Sequence, residues 1–338
     1  MPRCCIVTAY RNSEYAALAK LTLPRMQAFA ARHGHELRVH RMEDTHLDRA
    51  WMKVPPILDA LQGDFEFVVW LDIDALILRL DRDILDEAQP GIDLLVSWHG
   101  PDTAQPEGPT ITPHYNAGIY LIRRSDWSKD FFARMLALHG QVKHTWSDQA
   151  ALHLMLGLNE SLGFGPDLAD VADRAYVGRL DPAWNSIPGV AVSDDPVIHH
   201  FAGLPHATRL KLLRSNVAIL EFYDSAPAPL RSALSRQINL WAATACEMHT
   251  LAEEAEKISG SRRKASARES ARKLISHQQT VRPAIGPLRS ASRWKRRSHP
   301  FRSGAGSSAI PPAIAAWRRR NPRPCPKAPT PPATAASP

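Results

Sequence analysis

Cysteine is scarce in this chain, and long apolar runs are missing from it. The four cysteines are Cys4, Cys5, Cys246 and Cys325, two of them adjacent and none in a C-x-x-C pair. That usage excludes a disulfide framework and a cysteine zinc site, and it points to a reducing compartment. Nowhere do some ~18 apolar residues follow one another, as a membrane-spanning helix needs. The opening MPRCCIVTAY has no basic segment leading into an apolar stretch, so neither a signal peptide nor a transmembrane segment is expected. A cytoplasmic protein is the expectation.

The C-terminal part has almost no acid. From Arg262 onward there are 18 Lys or Arg against the single acid Glu269, which leaves 24 basic and 33 acidic residues before it. The formal charge of +8 therefore belongs to a basic tail on an acidic body. That tail, residues 261–338, is rich in Pro, Ala, Ser and Arg with little apolar periodicity, and is expected to be disordered. Its aromatics are only Trp294, Phe301 and Trp317, too few for a stacking platform, so no nucleic-acid partner is expected. Peripheral contact with an anionic inner membrane is the role its charge suits. A binding protein acting through the tail is the rival to an enzyme, and strong salt dependence of binding would mark it.

The body alternates. Cys4 to Ala9 (CCIVTA) reads as a buried first strand, since it is short, apolar and β-branched. Tyr15 to Arg32 has helical spacing and stops at Gly34, with Pro24 expected to kink or divide it. Glu36 to His40 reads as a strand, Met52 to Leu61 as a helix, and Phe65 to Leu71 as a third strand. Such alternation predicts an α/β fold with a parallel sheet. Leu94 to Trp98 and Ala117 to Ile122 are further strands, joined by a Pro-, Gly- and Thr-rich loop of the kind that covers a site. Helices are expected from Ser125 or Asp126 to Leu138 and over Asp148 to Leu156, then a last short strand at Val197 to Phe201. Residues 1–206 are read as the catalytic domain and 207–260 as a helical appendage, with helices at Thr208 to Phe222 and Pro229 to Ile258 and no chemical motif.

Chemistry concentrates at FVVWLDIDALIL, where Asp72 and Asp74 interrupt an apolar run at the end of the third strand. Ligands of open α/β sheets bind outside the carboxyl ends of strands. Two carboxylates near each other at a buried strand end repel unless positive charge separates them, and Mg²⁺ or Mn²⁺ would do so while holding a diphosphate. Strand-end aspartates that only bond backbone amides are the ordinary alternative. HHFAG, residues 199–203, offers an imidazole that tilts the choice toward Mn²⁺, and Gly203 lets backbone approach a phosphate.

Trp51-x-Lys53, WLDIDALIL, YNAGIYLIRRSDW, WSDQAAL, AWNSIPG and HHFAG occur in this order. Together they resemble the glycosyltransferase family of fungal Golgi α-galactosyl- and α-mannosyltransferases and plant xyloglucan xylosyltransferases, over roughly Cys4 to Gly203. The resemblance implies a GT-A fold, a Rossmann-like, mostly parallel sheet flanked by helices. It also implies retaining transfer from a UDP- or GDP-linked hexose or pentose to a glycan or glycolipid acceptor, with Mn²⁺ or Mg²⁺ at the donor diphosphate. Asp74 and His200, rather than His199, would ligate the metal, and Asp72 would hold metal or ribose. Thr8, Ala9 and Tyr10 would line the nucleotide, and Lys53 would approach its phosphates or the sugar. Asn116, Ala117 and Gly118 would grip sugar hydroxyls. Asp148 would orient the sugar or stabilise charge at its anomeric carbon, with Gln149 nearest the reacting face. Glycogenin-like or lipopolysaccharide-type transferases share a D-x-D, an NAG-like segment and a late His, and are the alternative within the class.

Overall fold

The computed structural model describes residues 2–42, 46–48, 50–104 and 111–244. The expected tail, and the part of the last predicted helix beyond residue 244, lie outside the described residues. A six-stranded sheet has the order β2 (Glu36–Arg41), β1 (Cys4–Tyr10), β3 (Phe67–Leu71), β6 (His114–Arg123), β5 (Leu94–His99), β7 (Val177–Leu180). It is mixed and mostly parallel: β1 pairs in parallel with β2 and β3, and β5 with β7, whereas β6 runs antiparallel to both of its neighbours. Among the described residues no helix is long and apolar enough to cross a membrane.

Helices cover both faces, which is why β1 and β3 read as continuous apolar runs rather than alternating ones. Cys5, Val7, Val68, Trp70, Tyr120 and Ile122 turn to the face packed by α2 (Val54–Gln62), α3 (Asp126–Ala137) and α4 (Ser147–Met155). Cys4, Ile6, Val69, Leu71, Ile119 and Leu121 turn to the face packed by α1 (Asn12–His33). Ser125 caps α3 through a reciprocal bond with Ser128, as its position before the apolar periodicity predicts.

Pro24 neither ends nor divides α1, which runs unbroken to Gly34, whose φ of 70° closes it. The missing amide costs one helical bond, and burial compensates. Leu18, Ala19, Met26, Phe29 and Ala30 are buried along one side, and Thr22 Oγ1 donates to the carbonyl of Ile73, 2.8 Å away. Tertiary contact thus outweighs the local penalty.

After β3 the chain turns at Asp72 and enters β4 (Ala75–Ile77), which pairs antiparallel with β8 (Ile198–His200) in a separate two-stranded ribbon. The last predicted strand is therefore present but sits outside the main sheet. The predicted helix over Thr208 to Phe222 is two helices, α5 (His206–Val217) and α6 (Leu220–Ser225), followed by a helix over residues 228–244. Leu212, Leu213, Tyr223, Ile238 and Ala242 pack with Leu18 of α1, Leu76, Leu78 and Phe201 in one apolar cluster. At about 1.5–3 kcal/mol for each large side chain buried, that contact fixes α5 against the end of the sheet.

Candidate active site

Register builds the site. Ala75 lies opposite His200 in the β4–β8 ribbon, and the Phe201 amide donates to the Asp74 carbonyl at 3.2 Å. The Asp72 amide donates to the Gly118 carbonyl of β6 at 2.9 Å, and the Asp72 carbonyl accepts from Ala75 at 2.9 Å, closing the turn. Backbone bonds alone therefore bring both carboxylates and one imidazole to the carboxyl end of β3. His200 Nε2 lies 3.6 Å from Asp72 Oδ2 and 3.5 Å from Asp74 Oδ1, and the three ligand atoms fall within 4.8 Å of one another.

The imidazole is aimed by a chain of amides. Asn116 Oδ1 accepts from the Gly118 amide and from Asn185 Nδ2, each at 3.0 Å. This arrangement turns the Asn185 oxygen toward His200 Nδ1, 2.9 Å away. Nδ1 then donates to that oxygen, so that Nε2 is the nitrogen facing the carboxylates, and on releasing its proton it would offer the lone pair a metal-binding histidine needs. Two hard carboxylate oxygens and one imidazole nitrogen fit a divalent ion such as Mn²⁺ or Mg²⁺.

Lys53, from the 3-10 turn before α2, is buried beneath the cluster. Its Nζ donates to the Ala117 carbonyl at 2.7 Å and pairs with Asp72 Oδ1 at 3.2 Å and Asp148 Oδ2 at 3.1 Å. Asp148 stands in the first turn of α4, just after Ser147, whose φ of 48° marks a tight entry to the helix. Burial pushes the Asp148 carboxyl up to about 6, against the pull of Lys53 and with the help of Asp72. Lys53 stays charged, its pKa raised because Asp148 and Asp72 outweigh the cost of burial. Asp74 bonds elsewhere: its Oδ2 receives Arg209 Nη1 at 3.1 Å, from α5. Three carboxylates against two cations leave the pocket one negative charge, which a divalent ion would make positive.

The surrounding open pocket, of about 230 Å³, is lined by Ala9, Lys53, Asp72, Asp74, Asn116, Ala117, Gly118, Asp148, Gln149, His200 and Gly203 from the sequence reading. Thr8 and Tyr10 are not part of that lining: Thr8 is buried within β1, and Tyr10 borders a second groove with Lys20 and Arg41. His199 points away, its Nδ1 2.8 Å from Asn216 Oδ1 of α5. Asn116 spends its oxygen on the amide chain, and Gln149 Oε1 accepts from the Ala117 amide at 3.1 Å. The sequence reading gave no role to Trp70, Asn185 or Arg209. Trp70 was within reach of it, because two residues along a strand share a face, and its Nε1 donates to Asp72 Oδ1 at 2.7 Å.

The imidazoles buried around this region make the stability of the fold depend on pH. Burial holds His153 and His199 down to about 4 and His99 to about 3. His153 Nε2 accepts from the Tyr115 amide at 3.0 Å, at the start of β6. The unfolded chain takes up these protons first, so their contribution is complete above about pH 6.5 and is lost as pH falls toward 4. Each is on the order of 3 kcal/mol, while the raised Asp148 works in the opposite direction by a similar amount. Urea unfolding should therefore show a net loss of several kcal/mol between pH 6.5 and 4.5, and equal stability at both would contradict it.

No family model matches the chain, and no curated protein does. Solved structures of similar fold are glycosyltransferases. One takes part in glycosylating the major capsid of PBCV-1 and is 15% identical, over 63% of this chain and 100% of that one, with a TM-score of 0.47. A second is the galactosyltransferase LgtC bound to donor and acceptor sugar analogues, 15% identical over 63% of this chain and 95% of that one, TM-score 0.38. A third is GlyE of Streptococcus pneumoniae TIGR4, 13% identical over 70% of this chain and 64% of that one, TM-score 0.40. Likeness at this level assigns neither donor nor acceptor.

Proposed function

We propose that the chain is a metal-dependent glycosyltransferase that moves a hexose or pentose from a UDP- or GDP-linked sugar to a glycan or glycolipid hydroxyl, with retention of the α configuration. The observation that carries this reading is the convergence of Asp72 Oδ2, Asp74 Oδ1 and His200 Nε2 in a pocket that Asp148 also lines. A bound Mn²⁺ or Mg²⁺ would neutralise charge on the departing diphosphate.

The remaining roles belong to side chains. Asp148 supplies negative charge where an oxocarbenium-like transition state develops its positive charge. Lys53 keeps that carboxylate ionised and in place, and its own burial, 5% exposed, makes the pair strong and rigid. Gln149 and Lys53 hold the Ala117 amide and carbonyl, and Asn116 and Asp72 hold those of Gly118, so this stretch of β6 is a rigid wall of the pocket rather than a set of free sugar-binding groups. Ala9 and Gly203 leave room for the nucleotide and its phosphates, with Thr8 and Tyr10 shaping β1 beside them.

A donor screen tests the proposal. The full chain with Mn²⁺ is incubated with UDP- and GDP-linked galactose, glucose, xylose and mannose, and nucleoside diphosphate release is followed. Release from one donor, abolished by EDTA and restored by Mn²⁺, is expected. No release from any donor, together with no metal-dependent nucleotide binding, would overturn it.

A further inference from the structure

Each carboxylate of the cluster has one oxygen already engaged. Asp72 Oδ1 accepts from Trp70 Nε1 at 2.7 Å and faces Lys53 Nζ at 3.2 Å, while Oδ2 is the oxygen turned to His200. Asp74 mirrors it: Oδ2 takes Arg209 Nη1 at 3.1 Å, and Oδ1 is turned to His200. Asp72 is held from within the sheet. The cation on Asp74 Oδ2 comes from α5, in the segment beyond residue 206 where the sequence shows no motif.

Arg209 is itself fixed. Its Nη2 donates to the Leu204 carbonyl at 2.8 Å, its guanidinium lies 6.0 Å from the centre of the Tyr15 ring, and α5 is anchored through Leu212 and Leu213. Its side chain is only 12% exposed, so water competes poorly for the Asp74 oxygen. Divalent ions differ in what they ask of a carboxylate. Ca²⁺ takes six to eight oxygens at about 2.3–2.6 Å and readily uses both oxygens of one carboxylate, whereas Mg²⁺ requires single oxygens near 2.0–2.1 Å in close to octahedral array. A site whose two carboxylates can each offer one oxygen disfavours the larger ion.

We propose that Arg209 is a specificity-determining residue of the metal site: by occupying Asp74 Oδ2 it restricts Asp74 to one-oxygen ligation and selects Mn²⁺ and Mg²⁺ against Ca²⁺. This rests on the metal reading of the same pocket. A merely structural Arg209 would, when removed, weaken every ion in proportion. A selecting Arg209 would, when removed, change the ratio between ions.

The test is calorimetric titration of the full chain with MnCl₂, MgCl₂ and CaCl₂ separately, without nucleotide, for the native protein, Arg209→Gln and Arg209→Lys. The native protein should bind Mn²⁺ and Mg²⁺ in preference to Ca²⁺. Arg209→Gln should raise Ca²⁺ affinity about tenfold relative to Mn²⁺, because the freed oxygen lets Ca²⁺ chelate. Arg209→Lys, which keeps a cation on that oxygen, should restore the native ratio. An unchanged ratio in Arg209→Gln, or proportional loss of all three ions, would overturn the inference while leaving the metal site standing. If no ion binds the native chain, the metal reading fails and this inference with it. Should Arg209→Gln not fold, infrared difference spectra of the native protein with ¹³C-labelled aspartate decide the matter. The carboxylate stretches on Ca²⁺ addition should show one-oxygen ligation, and a chelating signature would overturn it.

Discussion

Asp74→Asn protein should bind Mn²⁺ at least about 10²-fold more weakly than the native chain and lose transfer activity by about 10³-fold or more, while unfolding cooperatively as before. The substitution preserves volume and leaves the backbone bond from the Phe201 amide to the residue 74 carbonyl untouched, so the β4–β8 ribbon has no reason to separate. What is lost is charge. Burial by itself would raise the Asp74 carboxyl, but its hydrogen bond and attraction to His200, with Arg209, prevail and hold it well below the usual carboxylate range. It is therefore ionised throughout the pH range of any transfer assay. An amide at that position offers the ion a neutral oxygen, and the Lewis-acid contribution of several kcal/mol disappears with the ion. The amide oxygen can still accept from Arg209, which limits the cost of leaving that cation buried. Titration with Mn²⁺ and thermal unfolding in EDTA separate the two effects. Unaltered Mn²⁺ affinity in a folded Asp74→Asn protein would mean that the ligand set has been misplaced.

Much of the scaffold around Asp74 was legible in the sequence because local pattern and tertiary role agree there. CCIVTA and FVVWL are apolar at every position since both faces of the sheet are covered, and Gly34 and Ser125 mark their helix ends by backbone chemistry alone. Strand direction was not legible. AGIYLI is as apolar as FVVWL, and side-chain pattern carries no sign of which way a buried strand runs, so the antiparallel β6 emerges only from the pairing of Trp70 with Tyr120 and Val96 with Tyr120. Pro24 misled for a related reason, because a local rule about amide donors is blind to what the rest of α1 buries.

The site divides along the same line. Asp72, Asp74, Asn116 and His200 stand in short segments with a recognisable order, and the structure brings them together. Asn185 and Arg209 act through partners 15 and 135 positions away, His200 and Asp74, and neither sits in a spacing that periodicity can register. Asn185 was contained in AWNSIPG, a segment that contributed to the resemblance without a role of its own. Arg209 had no such marker. An arginine on an amphipathic helix is ordinarily solvated, and only the docking of α5 against α1 turns this one inward.

Gly118→Ala is expected to cost about 10²-fold or more in Mn²⁺ affinity and about 1–3 kcal/mol in stability. A Cβ built on Gly118 would lie 2.0 Å from His200 Cε1, 2.5 Å from Nδ1 and 2.8 Å from Nε2. The ring cannot swing aside cheaply, because Nδ1 is tied to Asn185 and the side chain is enclosed by β6 and the Asp72 turn. Nor can β6 recede, since it is paired with β3 and the Gly118 carbonyl accepts from the Asp72 amide. Glycine is thus required here by the approach of an imidazole to backbone, with no demand on its φ angle. The double substitution Gly118→Ala with His200→Ala distinguishes this clash from a general weakening of β6. If the methyl acts by expelling the ring, removing the ring restores most of the lost stability and the two changes are strongly non-additive. Metal affinity stays lost in the double variant, because the Nε2 ligand has gone. Additive stability losses in the double variant would show that His200 is not where the methyl is felt, and would withdraw Gly118 from the construction of the site.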